Sequence, residues 1–196
     1  MKPSRRRFVS LLAALPLLGL LVPAWAKPVR LELTPACADE DEDPTPAQTE
    51  GPFFKTKSPK RSRLTEPGAV GTPMLVTGQV LGTNGQPVAN ALLDWWHADD
   101  AGEYDNQGFR LRGHHFSNAQ GRFRLETIAP GRYPGRTRHF HVKVQAPGKS
   151  VLTTQLYFPD EPGNDRDRIF NEKLLMKLTK NADQSLGGAF TFVVNA

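Results

Sequence analysis

From Met74 to Asn195 the chain is cut by turn signals into short stretches rich in β-branched and aromatic residues, and that punctuation constrains the fold more than any other feature. Residues 75–81 and 88–96 read as strands joined by a turn that contains Asn84-Gly85. Further strands are expected over 121–127, 137–146, 151–158 and 189–195, separated by turns such as Asn118-Ala119-Gln120-Gly121, Ala129-Pro130-Gly131 and Ala146-Pro147-Gly148. Many short strands with Gly/Pro/Asn turns predict an all-β fold, an antiparallel β-sandwich. One short helix near the C-terminus is expected over 167–178, where Leu174, Leu175 and Leu178 share a face. Residues 27–73 read as an irregular N-terminal arm and residues 74–196 as the sandwich domain. Phe53 and Phe54, after Gly51-Pro52, are placed to dock that arm on the domain, and the basic stretch 55–63 reads either as a balance to the acidic run 39–43 or as having no role.

The first 26 residues carry an export pattern rather than fold information. Ser4-Arg5-Arg6-Arg7-Phe8-Val9 matches the twin-arginine signal, an apolar run over 11–22 follows, and Ala24-Trp25-Ala26 is a small-x-small cleavage site. The run is too short to span a bilayer, so cleavage and a periplasmic or secreted location are expected, without a stable membrane anchor. The segment holds four bases (Lys2, Arg5, Arg6, Arg7) and no acid, so its removal lowers the net charge from +5 to +1. Without that surplus of basic residues, a nucleic-acid partner loses its main support. Cys37 is the only cysteine, so no internal disulfide can form. The sequence leaves the oligomeric state open, and a homo-oligomer is compatible with it.

The chemistry concentrates in Tyr133-Pro134-Gly135-Arg136-Thr137-Arg138-His139-Phe140-His141. The alternation of residues 139–144 sends both imidazoles to one strand face, a ready pair of metal ligands. The Pro134-Gly135 turn can fold the Tyr133 phenol back toward them. Zinc sites use Cys, His and carboxylates, whereas a phenolate is a hard anionic oxygen, so this donor mixture reads as a ferric site. Trp95 and Trp96 point to opposite faces, one toward the core and one toward the site. His97, His114 and His115 show no ligand spacing and read as surface or loop residues.

Four motifs stand in order here: W-x-A-D-x-x-G-x-Y over 96–104, P-G-x-Y-P over 130–134, R-x-x-H-x-H over 136–141 and T-Q-x-Y-F-P over 154–159. In these the chain resembles the intradiol ring-cleavage dioxygenases, of the short, exported, protocatechuate 3,4-dioxygenase-like kind. The resemblance implies a non-haem Fe(III) held by Tyr104, Tyr133, His139 and His141. It implies Tyr133 as the ligand that gives way to substrate, Arg136 over the bound substrate, and Gln155 in the pocket. The implied reaction takes O2 and a small aromatic catechol-type substrate, opens the ring between the two hydroxylated carbons, and yields a cis,cis-muconate-type diacid. The intervals from Tyr104 to Tyr133 and from Tyr133 to His139 are shorter than in the two-subunit protocatechuate enzymes, which implies a more open pocket.

Within that reading Tyr157 is a rival second phenolate, set aside for Tyr104 on the family pattern. A carboxylate on the substrate would need a basic residue in the pocket; Lys143 and Arg138 are candidates without further support in the sequence. Two other readings compete. A non-catalytic transthyretin-like β-sandwich module explains the strands but not Tyr104, His139 and His141. A zinc or copper enzyme using the His pair lacks an evident carboxylate base.

Overall fold

The computed structural model describes residues 43–196; the export pattern and Cys37 lie outside the described residues. Among the described residues eight strands form two four-stranded sheets. They are β1 (Pro73–Gly82), β2 (Leu92–Trp96), β3 (Arg112–Phe116), β4 (Arg122–Ile128), β5 (His139–Gln145), β6 (Leu152–Tyr157), β7 (Lys177–Lys180) and β8 (Leu186–Val194). One sheet runs β4-β1-β8-β7 and the other β3-β2-β5-β6. Their facing sides enclose a core that includes Val76, Leu93, Trp95, Leu125, Phe140, Val142, Leu156 and Phe192. Trp95 sits at its centre, within 6.3 Å of the rings of Phe123, Phe140 and Phe192. Each such ring withdrawn from water contributes about 1.5–3 kcal/mol.

The sandwich expected from the turn spacing is present, with four differences. The β1–β8 pair is parallel, Met74 to Leu186 through Gly82 to Val194, although every other pair is antiparallel. The second strand begins only at Leu92, because Val88 returns its N–H to Val80 and Asn90 turns the chain at φ 55°. The helical piece near the C-terminus is a single 3-10 turn, Glu172–Leu174, capped by the Asn171 side chain, and the chain is already extended at Lys177. Leu174 alone of its three leucines is fully buried there, so no apolar stripe is available to carry more turns. Finally, β3 contains His114 and His115 as a paired edge strand, and His97 and His115 are buried rather than superficial. Arg112-Gly113-His114-His115-Phe116 has no apolar alternation to announce a strand.

The arm crosses the outer face of the β3-β2-β5-β6 sheet. Gln48 N–H donates to Thr153 at the β6 edge, and the backbone near Pro59 and Arg61 pairs with His114 at the β3 edge. Leu64 and Ser62 then exchange backbone hydrogen bonds with Glu126 of β4. Exposed edges of both sheets are thereby satisfied by the chain's own backbone. Lys55 donates to the carbonyls of Asn106, Gln107 and Gly108, and Arg61 to those of Phe109 and Arg112. These two bases anchor the arm to a loop, and Arg61 also lies 3.6 Å from Glu66.

Candidate metal centre

Strand register lays the site out in rows across the covered face. Arg112, Trp96, His141 and Gln155 are neighbours on β3, β2, β5 and β6, and His139 sits beside Tyr157 in the next row. Period two does the rest: Phe140 and Val142 enter the core, while His139 and His141 face the arm. Trp96 stacks on His141 at 4.9 Å with the rings 9° apart, and Phe54 of the arm lies 4.8 Å from Trp96.

The two tyrosines arrive from loops that lock together through glycine. Gly131 donates to Asp99 O, and a Cβ at Gly131 would meet Asp100 O at 2.4 Å. Gly102, at φ +89°, leaves the same kind of gap for Arg132 O, also at 2.4 Å. Backbone can therefore approach backbone, and Tyr104 and Tyr133 meet edge to face with ring centroids 5.8 Å apart. Phe53 stacks on the other side of Tyr104 at 4.3 Å. Arg112, buried, donates to Phe53 O and Asp105 O, joining the arm to the loop that follows Tyr104.

The donor atoms converge. His139 Nε2 lies 3.1 Å from His141 Nε2 and 3.4 Å from Tyr133 Oη. His139 Nδ1, 2.7 Å from Thr137 O, is assigned the proton, which leaves a lone pair on Nε2. Burial, and then the Arg136 charge, push His139 down to about 4; burial, and then His139, push His141 well below its usual value. Both rings are thus neutral at physiological pH, as a metal ligand must be. Tyr104 Oη and His141 Nδ1 are buried with no hydrogen-bond partner. Burial, followed by the adjacent Tyr133 phenol, pushes the Tyr104 hydroxyl well above its ordinary range. An orphaned hydroxyl near two imidazole Nε2 atoms that have only each other and Tyr133 Oη as neighbours fits a cation that would ionise it. Among the described residues no three His, Cys, Asp or Glu side chains cluster as metal ligands, so phenols are needed to complete a donor set.

Tyr157 is excluded as that second phenol by its own partners. Its hydroxyl lies within 3.1 Å of Gln48 Oε1, Gln155 Oε1 and Ile169 O. Gln155, fully buried, also donates to Thr49 O and accepts from Arg136. Arg136 lies in the turn after Tyr133, off the β5 strand, and so reaches the same face as the imidazoles despite its odd offset from His139. Its Nη1 is 3.4 Å from Tyr133 Oη and its Nε 2.9 Å from Asp167 Oδ2. Asp167 and Phe53 had no signal in the sequence beyond an acid among other charges and a ring after Gly-Pro. A cavity of about 330 Å³ opens beside Tyr133 and Arg136, with Arg132, Arg166 and Asp167 on its walls. A larger cavity, about 470 Å³, lies elsewhere, between Arg63, Arg124 and Asp183, and touches none of these residues.

A family model described as dioxygenase matches residues 49–196. Hydroxyquinol 1,2-dioxygenase of Nocardioides simplex is 32% identical over 173 residues, covering 76% of this chain and 58% of that protein. The chain thus spans little more than half the length of that relative. The dioxygenase domain of a dioxygenase carbohydrate-binding protein fusion from Streptomyces sp. SirexAA-E superposes with a TM-score of 0.76 at 52% identity, covering 79% of this chain and 99% of that one. Hydroxyquinol 1,2-dioxygenase from Pseudomonas putida DLL-E4 superposes with a TM-score of 0.70 at 27% identity, covering 83% and 70%.

Proposed function

The chain belongs to the intradiol ring-cleavage dioxygenase family, and on that footing we propose that it cleaves a catechol-type aromatic between its two hydroxylated carbons with O2, giving a cis,cis-muconate-type diacid. The observation that carries the reading is the convergence of His139 Nε2, His141 Nε2 and Tyr133 Oη beside the orphaned Tyr104 hydroxyl. These four side chains would hold a non-haem Fe(III). When bound, the ion supplies Lewis acidity that keeps phenols and catechol ionised near neutral pH and makes the ring reactive toward O2.

The chain's own groups do the positioning and move the protons. Tyr133 Oη, next to the cavity, is the acceptor for one catechol proton, and the Arg136 guanidinium 3.4 Å away favours negative charge at that point. Gln155 and Asp167 grip Arg136 from two sides and fix its plane toward the cavity. Phe53, Phe54 and Trp96 wall the site with rings and keep water from the imidazoles. Relatives named for hydroxyquinol and catechol make a hydroxylated ring the first substrate class to try. The same proposal includes export by the twin-arginine route, read from Ser4 to Ala26 and checked by fractionating cells that carry an Arg5→Lys/Arg6→Lys/Arg7→Lys signal.

A binding module with no reaction is not favoured, since it leaves a buried phenol without a partner and gives His139 and His141 no task. The deciding experiment is the visible absorption spectrum of the iron-reconstituted protein before and after a catechol is added without O2. A tyrosinate charge-transfer band that moves to longer wavelength supports the proposal. A folded, colourless protein that keeps no iron overturns it.

A further inference from the structure

The two imidazoles of the site are held by different means. His139 Nδ1 lies 2.7 Å from Thr137 O, the kind of hydrogen bond that fixes the plane of a metal-binding histidine. His141 Nδ1 is buried and has no hydrogen-bond partner among the described residues. With Nε2 turned toward the other donors the proton sits on Nδ1, and no acceptor there sets the rotation of the ring. Packing sets it instead. Trp96, its neighbour across β2 and β5, lies nearly parallel to it, with 4.9 Å between ring centroids and 9° between planes. His139 stands edge-on at 4.8 Å, and the arm passes at Gly51, where a Cβ would lie 3.5 Å from His141 Cε1.

The indole is held in turn by the arm. Phe54 lies 4.8 Å from Trp96, and the Lys143 ammonium sits 4.4 Å from the centre of the Phe54 ring. Lys143 is paired with Glu50, the residue before Gly51, and donates to Thr153 Oγ1. The sequence offered Lys143 and Arg138 for a substrate carboxylate, but Glu50 engages the one and Glu161, at 3.4 Å, the other. Lys143, Phe54, Trp96 and His141 thus touch in series. We propose that Trp96 is the positioning residue of His141, and that Phe54, clamped by Lys143, holds the indole against the imidazole. The inference rests on the dioxygenase reading for the iron that His141 would hold, and on packing alone for how the ring is held. The χ2 torsion of a histidine is soft, and a flat neighbour resists the rotation that would carry Nε2 away from His139 Nε2 and Tyr133 Oη.

The test compares wild type with Trp96→Leu, Trp96→Phe and Phe54→Leu, and with Trp95→Phe, a change in the core on the opposite face of the same strand. Iron release from the loaded full chain to a ferric chelator is followed where every variant is folded, with the ferric EPR spectrum beside it. Trp96→Leu is expected to release iron about tenfold faster, as when a group that orients a metal ligand is lost, and to replace one ferric species by several. Trp96→Phe keeps a flat face and recovers most of the loss, and Phe54→Leu gives about a threefold effect. Trp95→Phe lowers the denaturant midpoint but leaves the release rate and the spectrum as in wild type. Release from Trp96→Leu at the wild-type rate, or equally fast release from Trp95→Phe, overturns the proposal. A readout without iron separates it from the reading it rests on. In the metal-free protein the His141 Cε1–H resonance, displaced by the indole ring current, should shift and broaden in Phe54→Leu while that of His139 stays. That response in a protein whose wild type takes up no iron sinks the dioxygenase reading and leaves the orientation of His141 standing. An unchanged His141 resonance in Phe54→Leu overturns the proposal whether or not iron binds.

Discussion

Arg136 and Asp167 form an ion pair at the mouth of the cavity, Nε to Oδ2 at 2.9 Å, with the Asp167 side chain 1% exposed and that of Arg136 17%. The carboxylate also accepts the N–H groups of Thr137 and Ile169, so it ties the turn before β5 to the segment after the Asn164–Arg166 turn. Asp167→Ala leaves the half-buried Arg136 without its counter-charge and is expected to cost about 2 kcal/mol, less than breaking a fully buried pair. Ring opening should fall about a hundredfold through kcat, since the guanidinium is no longer aimed at Tyr133 Oη. Denaturant midpoints and steady-state rates check the two effects separately; full activity in Asp167→Ala would show that the pair does not position Arg136.

Two tyrosines with buried hydroxyls give opposite results when those hydroxyls are removed. Tyr104 Oη has no partner, so in the metal-free protein Tyr104→Phe should be as stable as wild type or better by about 1 kcal/mol. Yet it should lose iron and the charge-transfer band. Tyr157 Oη has one proton to give, to Gln48 Oε1, Gln155 Oε1 or Ile169 O, so Tyr157→Phe should cost about 1 kcal/mol while keeping the colour. Unfolding curves without iron, set beside spectra with it, decide the assignment. A Tyr157→Phe protein that loses the band while Tyr104→Phe keeps it would exchange the two roles.

Much of this was legible because period two is a local rule. His139 and His141 had to share a face, and Trp95 and Trp96 had to part, whatever the rest of the fold did. The glycines and prolines marked most strand ends for the same reason. The illegible parts are those that depend on partners distant in sequence. The parallel β1–β8 pairing joins residues more than a hundred positions apart, and β3 is a strand because β2 and the arm bond to both its edges. His97 reads as superficial in a loop sequence; Ala98 O and Thr127 Oγ1, each 2.7 Å from its ring nitrogens, are what make its burial tolerable. Asp167 could not be picked out from Asp165 as the partner of Arg136 without the fold.

The glycine lock between the two tyrosine loops is testable by adding one methyl group. Gly131→Ala would place a Cβ 2.4 Å from Asp100 O, and both atoms belong to backbone that cannot swing aside. The loops must separate, at a cost of about 2–4 kcal/mol. Tyr104 and Tyr133 would part with them, so iron content should fall even at temperatures where the protein stays folded. Gly135→Ala is the contrast: its φ is +80°, but no atom lies within 4 Å of the added methyl. Its cost is the backbone strain alone, about 1 kcal/mol. Equal iron loss in the two variants would remove the lock as the cause.

Acid should destabilise the metal-free protein through histidines that lie outside the ligand set. Burial pushes His97 down to about 4, and burial and then His114 push His115 down to about 4. Both are neutral in the fold and titrate near 6.5 when unfolded. Between those values the unfolded chain binds more protons, so stability rises with pH there. It is complete above about pH 6.5 and is lost as pH falls toward 4, by up to about 3 kcal/mol for each ring. His139 and His141 tilt the curve the same way in the absence of metal, so the informative quantity is a difference between variants. Both ring nitrogens of His115 are buried without partners beside Phe123. His115→Leu should therefore be more stable than wild type by about 1–3 kcal/mol at pH 7.5, because no unpaired polar atom remains. Its advantage should widen at pH 4.5, because one proton site has been removed from the unfolded-state surplus. Urea titrations at the two pH values measure that widening; a constant difference would mean that His115 takes up its proton in the fold at the same pH as in the unfolded chain.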